Sequence, residues 1–121
     1  MRTTRLVYIA HPLGAGPDRA ENIARASRWV AWAALAEGVL PVASWVILAS
    51  VWDEATGRER GLHVGCQTLA RCDEVWLVGG RVSPGMQIER EHAVLCGVQV
   101  VDMMHFGAEP PAVPGSPARP F

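Results

Sequence analysis

The sequence predicts an α/β fold, a single-domain doubly wound parallel sheet of about four to five strands, on three observations. Short apolar runs at residues 6–10, 39–43, 75–78 and 98–103 alternate with longer segments of helical pattern. The stretch DEVWLVGGRVSPGMQIEREHAVLCGVQVVD, residues 73–102, reads as strand, glycine turn, helix and strand, and two strands joined through a helix lie parallel. A chain of 121 residues is one domain, long enough to bury a core without staples. Right-handed crossovers then give the flavodoxin-like strand order 2-1-3-4, with the switch point between strands one and three.

Residues 6–10 are almost continuously apolar, as a strand buried on both faces requires. The loop HPLGAGP (11–17) follows at its carboxyl end. It has neither GxGxxG nor a P-loop lysine, which argues against dinucleotide and Walker-type sites. Pro17 and Asp18 start a helix of roughly twenty residues that Gly38 stops. Ile23, Ala26, Val30, Ala33 and Ala34 form its buried stripe, and Trp29 and Trp32 widen the apolar surface. Residues 39–43 make a second strand, placed at an edge by Pro41. SWVILASVWD (44–53) fits strand or helix by periodicity, and Ser44 as a cap favours a short helix.

A polar loop from Glu54 to Arg60 leads into a helix to about Cys72, with Leu62, Cys66 and Leu69 on one face. After the third strand, Ser83 is a good N-cap and Pro84 a good first residue for a helix that ends at Gly97. The domain is therefore expected over residues 1–105. Residues 106–121 form a Pro-rich tail without periodic pattern, expected to wander over the surface, to be disordered or to reach a neighbouring subunit.

The helix start at Ser83 points unpaired N–H groups out of the sheet edge, an arrangement suited to an anion. Met86, Ala93 and Cys96 share a face of this helix, and Glu89 falls among them while Glu91 lies opposite. A carboxylate on an apolar face is costly unless paired or used. Ser-Pro-Gly also serves as a plain cap, and a glutamate near a helix start favours the macrodipole. Neither explains why cap, double glycine (Gly79, Gly80) and inward carboxylate coincide at the carboxyl end of a strand, where open α/β sheets bind ligands. His11, Gly79, Gly80 and Ser83 are expected to converge there.

Asp73, then Ser83-Pro84-Gly85-Met86, then Glu89 and Ala93, resembles the nucleoside 2-deoxyribosyltransferase-like superfamily, which includes nucleoside 5'-monophosphate N-hydrolases. Its members carry Ser-x-Gly-(Met or Val)-x-x-Glu-x-x-x-Ala after the third strand. Tyr8-Ile9-Ala10-His11-Pro12, with Asn22 following, is similar to that family's Tyr-(Ile/Val)-Ala-x-Pro, so the resemblance spans about residues 6–103. It implies cleavage or transfer at an N-glycosidic bond, with Glu89 as nucleophile and Tyr8 close to the sugar, where the residues alone suggest a buried tyrosine with a satisfied hydroxyl. It further implies a 5'-phosphate held by Ser83, Gly85 and Met86, a second phosphate contact from Arg19, and a substrate side completed by His11, Gly79, Gly80 and Asn22. Many relatives have an aspartate, assisting the base or its proton, where this chain has Gly65. Asp53, Glu54 or His11 then substitutes, or the pocket binds a nucleotide without cleaving it. Asp73, at the strand entrance, is expected to be structural.

A net charge of −1 gives no reason to expect nucleic acid polymers or anionic membranes as partners. All eleven basic residues are arginine, which excludes Schiff-base lysine chemistry and suits phosphate contacts, although composition bias gives the same pattern. Cys66, Cys72 and Cys96 lack a CxxC spacing, as expected for reduced thiols in a cytoplasmic protein. His63 with Cys66 is too small a set for a metal site, and no cofactor is expected. His11 and Pro12 break the first apolar run too early for a signal peptide, and no stretch approaches the roughly 18 apolar residues of a membrane span. Ile88 and Leu95 give the helix after Ser83 a second apolar side, which predicts a homodimer or higher even oligomer.

Overall fold

The computed structural model describes residues 3–14 and 16–112. Four strands, β1 (Arg5–Ala10), β2 (Val39–Val42), β3 (Glu74–Leu77) and β4 (Gln99–Asp102), form one parallel sheet in the order β2-β1-β3-β4. The helices are α1 (Arg19–Ala34), α2 (Ser44–Val51), α3 (Glu54–Leu69) and α4 (Pro84–Leu95). The doubly wound α/β class and the strand order are as expected, and Pro41 lies on an edge strand.

The continuous apolar runs of β1 and β3 reflect burial on both faces. Tyr8, Ala10, Val75 and Leu77 point to a core with Trp45, Ala49, Leu69, Met86 and Ala93 from α2, α3 and α4. Val7, Ile9 and Trp76 point the other way, to Trp29, Trp32 and Ala33 of α1, as the two-residue period of a strand requires. At the sheet's entrance Asp73 accepts a hydrogen bond from the Leu6 N–H at 2.8 Å. Glu74 accepts from Arg5 at 2.6 Å and from Trp76 Nε1 at 2.9 Å. Asp73 is thus a structural residue, far from the carboxyl ends of the strands.

Several boundaries differ from expectation. Helix α1 has 16 residues and ends at Ala34, and the Asp18 side chain makes no cap bond. Leu35 and Ala36 turn more tightly, onto Trp32 and Ala33, and Gly38, at φ 78°, offers its carbonyl to Arg5 N–H. The buried face of α1 is Asn22, Ala26, Trp29, Trp32 and Ala33, with Ala34 exposed. The indoles bury far more area than the alanine, so the helix is rolled towards them; they meet edge to face at 5.2 Å.

Helix α2 is present, but Ser44 is its first residue and Ala43 stands at the N-cap without a side-chain bond. Residues 54–60, expected as a loop, are the first turns of α3, which stops at Leu69. Gly57 reads as a breaker but marks a close contact: a Cβ there would lie 2.7 Å from Trp52 Cβ. Gly65 and Leu69 are the buried residues of the second half of α3, with Leu62 and Cys66 half-buried. Cys96 is the exposed C-cap of α4 and does not join Met86 and Ala93 in the core.

The tail does not wander at its start. A 3-10 turn, Met104–Phe106, places Phe106 against Trp32. Ala108 O accepts from Trp29 Nε1 at 2.8 Å, and Glu109 pairs with Arg25 at 2.9 Å and Arg28 at 2.8 Å. The expectation for residues 113–121 lies outside the described residues. Among the described residues no helix is long and apolar enough to cross a membrane.

Candidate functional site

A cleft of about 230 Å³ opens at the carboxyl ends of β1 and β3, between the loop after β1, helices α2 and α3, and the start of α4. Glu89 of α4 lines the cleft, whereas Tyr8 of β1, expected close to the sugar, does not: it is fully buried and reaches the site only through Glu89. Tyr8 Oη donates to Glu89 Oε2 at 2.5 Å, and both side chains are buried. Burial pushes the Glu89 carboxyl up to about 7, although the Tyr8 bond acts in the opposite direction. Burial, then the charge and hydrogen bond of Glu89, raise the Tyr8 phenol well above its usual value. Glu91 is exposed and accepts from Gln87 Nε2 at 3.0 Å, a surface contact away from the cleft.

Gly65 of α3 closes the other side of this pair. A Cβ there would stand 2.6 Å from Tyr8 Oη and 3.1 Å from Glu89 Oε2. The missing side chain is what lets the tyrosine, the carboxylate and the α3 backbone meet. Of the residues expected to stand in for an acid at this position, Asp53 is exposed and does not line the cleft. The side chain of Glu54 lies outside the described ones.

Ser83 caps α4 as expected: its Oγ accepts from Met86 N–H at 3.2 Å, and its own N–H lies 3.4 Å from Met86 Sδ. Gln87 N–H pairs with Ser83 O. Pro84 has no N–H, so Gly85 N–H is the first-turn donor left for a ligand. Ser83, Gly85, Met86 and Glu89 all line the cleft.

The remaining expected residues divide. His11 lines the cleft and is 4% exposed. Its Nδ1 lies 2.7 Å from Pro12 O, so that nitrogen carries the proton and Nε2, without a partner among the described residues, is a bare acceptor. Burial lowers its pKa to about 4, so a neutral imidazole offers a lone pair and not a cationic phosphate contact. Arg19 lines the cleft, but its guanidinium donates to the carbonyls of Gly14, Ala49 and Trp52, each at 3.2 Å, tying the loop after β1 to the end of α2.

Asn22, Gly79 and Gly80 do not line the cleft. Asn22 donates to Leu13 O at 2.9 Å and holds the loop after β1 in place. Gly79, at φ 102°, lets β3 run close behind His11, since a Cβ would fall 2.6 Å from its Cδ2. Gly80 makes room for the tail at Ala108 in the same way. The double glycine therefore serves backbone approach behind the site.

Sequence reasoning missed Arg58, Arg81, Trp45 and Trp52, all of which line the cleft. Arg81 stands two residues before the cap, a basic residue beside a helix start, and that spacing was a usable signal. Arg58 was hidden by reading the first turns of α3 as a loop. The lining thus holds Arg19, Arg58 and Arg81 against one carboxylate, Glu89, with an apolar wall from α2. Such a site suits an anionic ligand with a planar apolar part. Among the described residues no group of three His, Cys, Asp or Glu side chains could hold a metal.

No curated protein matches the sequence. A family model described as a domain of unknown function, DUF7768, matches residues 5–103, which cover all four strands and all four helices, and the chain belongs to that family.

Proposed function

We propose that this protein cleaves the N-glycosidic bond of a nucleoside 5'-monophosphate, by hydrolysis or by transfer, with Glu89 as the nucleophile and free base as a product. The observation that carries the reading is the buried Glu89 carboxyl, held by Tyr8 at 2.5 Å on the wall of a cleft that also holds Arg19, Arg58 and Arg81. A carboxylate in that position attacks the anomeric carbon and forms a glycosyl ester, which water or a second base resolves through an oxocarbenium-like state. Tyr8 fixes the rotamer of Glu89 and leaves its second oxygen for the sugar. Gly85 N–H, the Ser83 cap and Arg81 receive the 5'-phosphate. The reduced cysteines fit a cytoplasmic setting.

Incubation with a panel of nucleoside monophosphates, with free base followed by chromatography, tests the reading. Ser83→Asp adds repulsion at the phosphate end, and calorimetry should show a loss of about 1.5 to 3 kcal/mol for nucleotide but little change for nucleoside. Equal affinity of the wild type for nucleoside and nucleotide counts against the phosphate assignment. A second reading, a nucleotide-binding protein that senses without cleaving, is favoured by Gly65, which brings no acid to Glu89 from that position of α3. Tight binding with no base released from any nucleotide would select it.

A further inference from the structure

The inference rests on the reading above and adds where the base sits and which residue admits it. On one face of α3, at successive turns, stand Gly57, Gly61 and Gly65. Glycine is a poor helix former, so three of them in four-residue steps need a cause. Two find it in their neighbours. A Cβ at Gly57 would lie 2.7 Å from Trp52 Cβ, and one at Gly65 would lie 2.6 Å from Tyr8 Oη and 3.1 Å from Glu89 Oε2. Gly61 differs. Among the described residues nothing lies within 4 Å of a Cβ built there, and Gly61 lines the cleft. What stands in front of it is the cleft itself.

The surroundings assign that opening to one part of a nucleotide. Along α3 it is bounded one turn earlier by the Trp52 side chain at Gly57 and one turn later by Glu89 at Gly65, about 6 Å in each direction. Trp52 is fixed there, since its carbonyl accepts from Arg19 at 3.2 Å while its side chain packs on Gly57. Leu48 and Leu62 extend this apolar side of the cleft, and Arg81, Ser83 and Gly85 form the polar side at α4. With the anomeric carbon at Glu89 and the phosphate at the start of α4, the apolar side is what remains for the base, a flat ring suited to an aromatic wall. We propose that Gly61 is the specificity-determining residue of the cleft: the base lies over its Cα, beside Trp52, and enters because position 61 carries no side chain.

Calorimetry on wild type, Gly61→Ala and Gly61→Leu tests this with adenosine and cytidine 5'-monophosphates, their deoxy forms, and ribose and deoxyribose 5-phosphates, which keep sugar and phosphate without a base. Gly61→Leu should bind the nucleotides at least about 10-fold more weakly, because its side chain overfills the space. Gly61→Ala should move the same way by less, although alanine suits the helix better. The sugar phosphates should stay within about twofold, as for groups that share no contact. Should urea melts show Gly61→Leu unfolded, Gly61→Ala decides on the same comparison. Unchanged nucleotide affinity in the variants would overturn the inference and leave the glycosidase reading intact. An equal loss for nucleotides and sugar phosphates would do the same, because the base would then not be what meets position 61. A wild type that binds no member of the panel would overturn both.

Discussion

Tyr8 Oη and Glu89 Oε2, 81 positions apart in the chain, share a hydrogen bond of 2.5 Å. The bond crosses from the central strand to the helix that follows the glycine turn, so the sheet order itself assembles it. Its donor partly offsets the desolvation of the carboxylate, but burial wins, and the Glu89 pKa stands at about 7.

Turnover should therefore rise with pH through a midpoint near 7, because the proposed nucleophile is the carboxylate. Tyr8→Phe removes a hydrogen bond that favours the charged form and should move the midpoint upward. Carbon-detected NMR titration of the Glu89 carboxyl, alongside the kcat/KM profile, checks both. Stability has the opposite sign. The folded pKa is raised above the ordinary 4.5, so the folded state holds an extra proton between about pH 4.5 and 7, and stability falls as pH rises through that window. Above it wild type should be about 3 kcal/mol less stable than at pH 4 from this group alone, a loss that Glu89→Gln should abolish in urea melts.

Gly65→Ala should be destabilising by about 1 to 3 kcal/mol, since its Cβ would stand 2.6 Å from Tyr8 Oη. Helix propensity alone favours alanine by about 1 kcal/mol. Gly61→Ala is the control: the same helix, with nothing within 4 Å of the new Cβ, and a small gain expected. Paired urea melts decide. Equal gains at both positions would show that the Tyr8–Glu89 pair tolerates a neighbour at Gly65.

The second apolar side of α4 is exposed, with Ile88 at 48% and Leu95 at 85%. A homodimer or higher even oligomer that covers this side is expected, and light scattering at tens of micromolar should give at least twice the chain mass. Leu95→Glu should reduce it. A monomer mass for wild type would remove the expectation. Because Ile88 also lines the cleft, a partner seated there would border the site.

The sheet order was legible because β1 and β3 are unbroken apolar runs and crossovers have one hand. Ser83 was legible as a cap because serine before proline at a helix start has a local cause. What escaped depends on packing between distant segments. Gly57 looks like a loop residue until Trp52 is seen against it. Ala34 fits the helical stripe of α1, but Trp29 and Trp32 outweigh it. Gly79 and Gly80 look like a ligand cradle, yet His11 and Ala108 fill the space that their missing side chains leave. Gly65 appears in sequence as a missing aspartate; only the structure places it against Tyr8 and Glu89.

The most direct test of the account compares Glu89→Gln with Glu91→Gln in a base-release assay, because of the two glutamates of α4 Glu89 lines the cleft and Glu91 is exposed away from it. Glu89→Gln should lose several orders of magnitude in turnover while keeping the fold and much of the ligand affinity, since an amide matches the shape but cannot form the ester. Glu91→Gln should stay within a few fold, as a surface carboxylate contributes about 0.5 kcal/mol or less. Near-normal turnover by Glu89→Gln, or a dead Glu91→Gln, would contradict the assignment of Glu89 as the nucleophile.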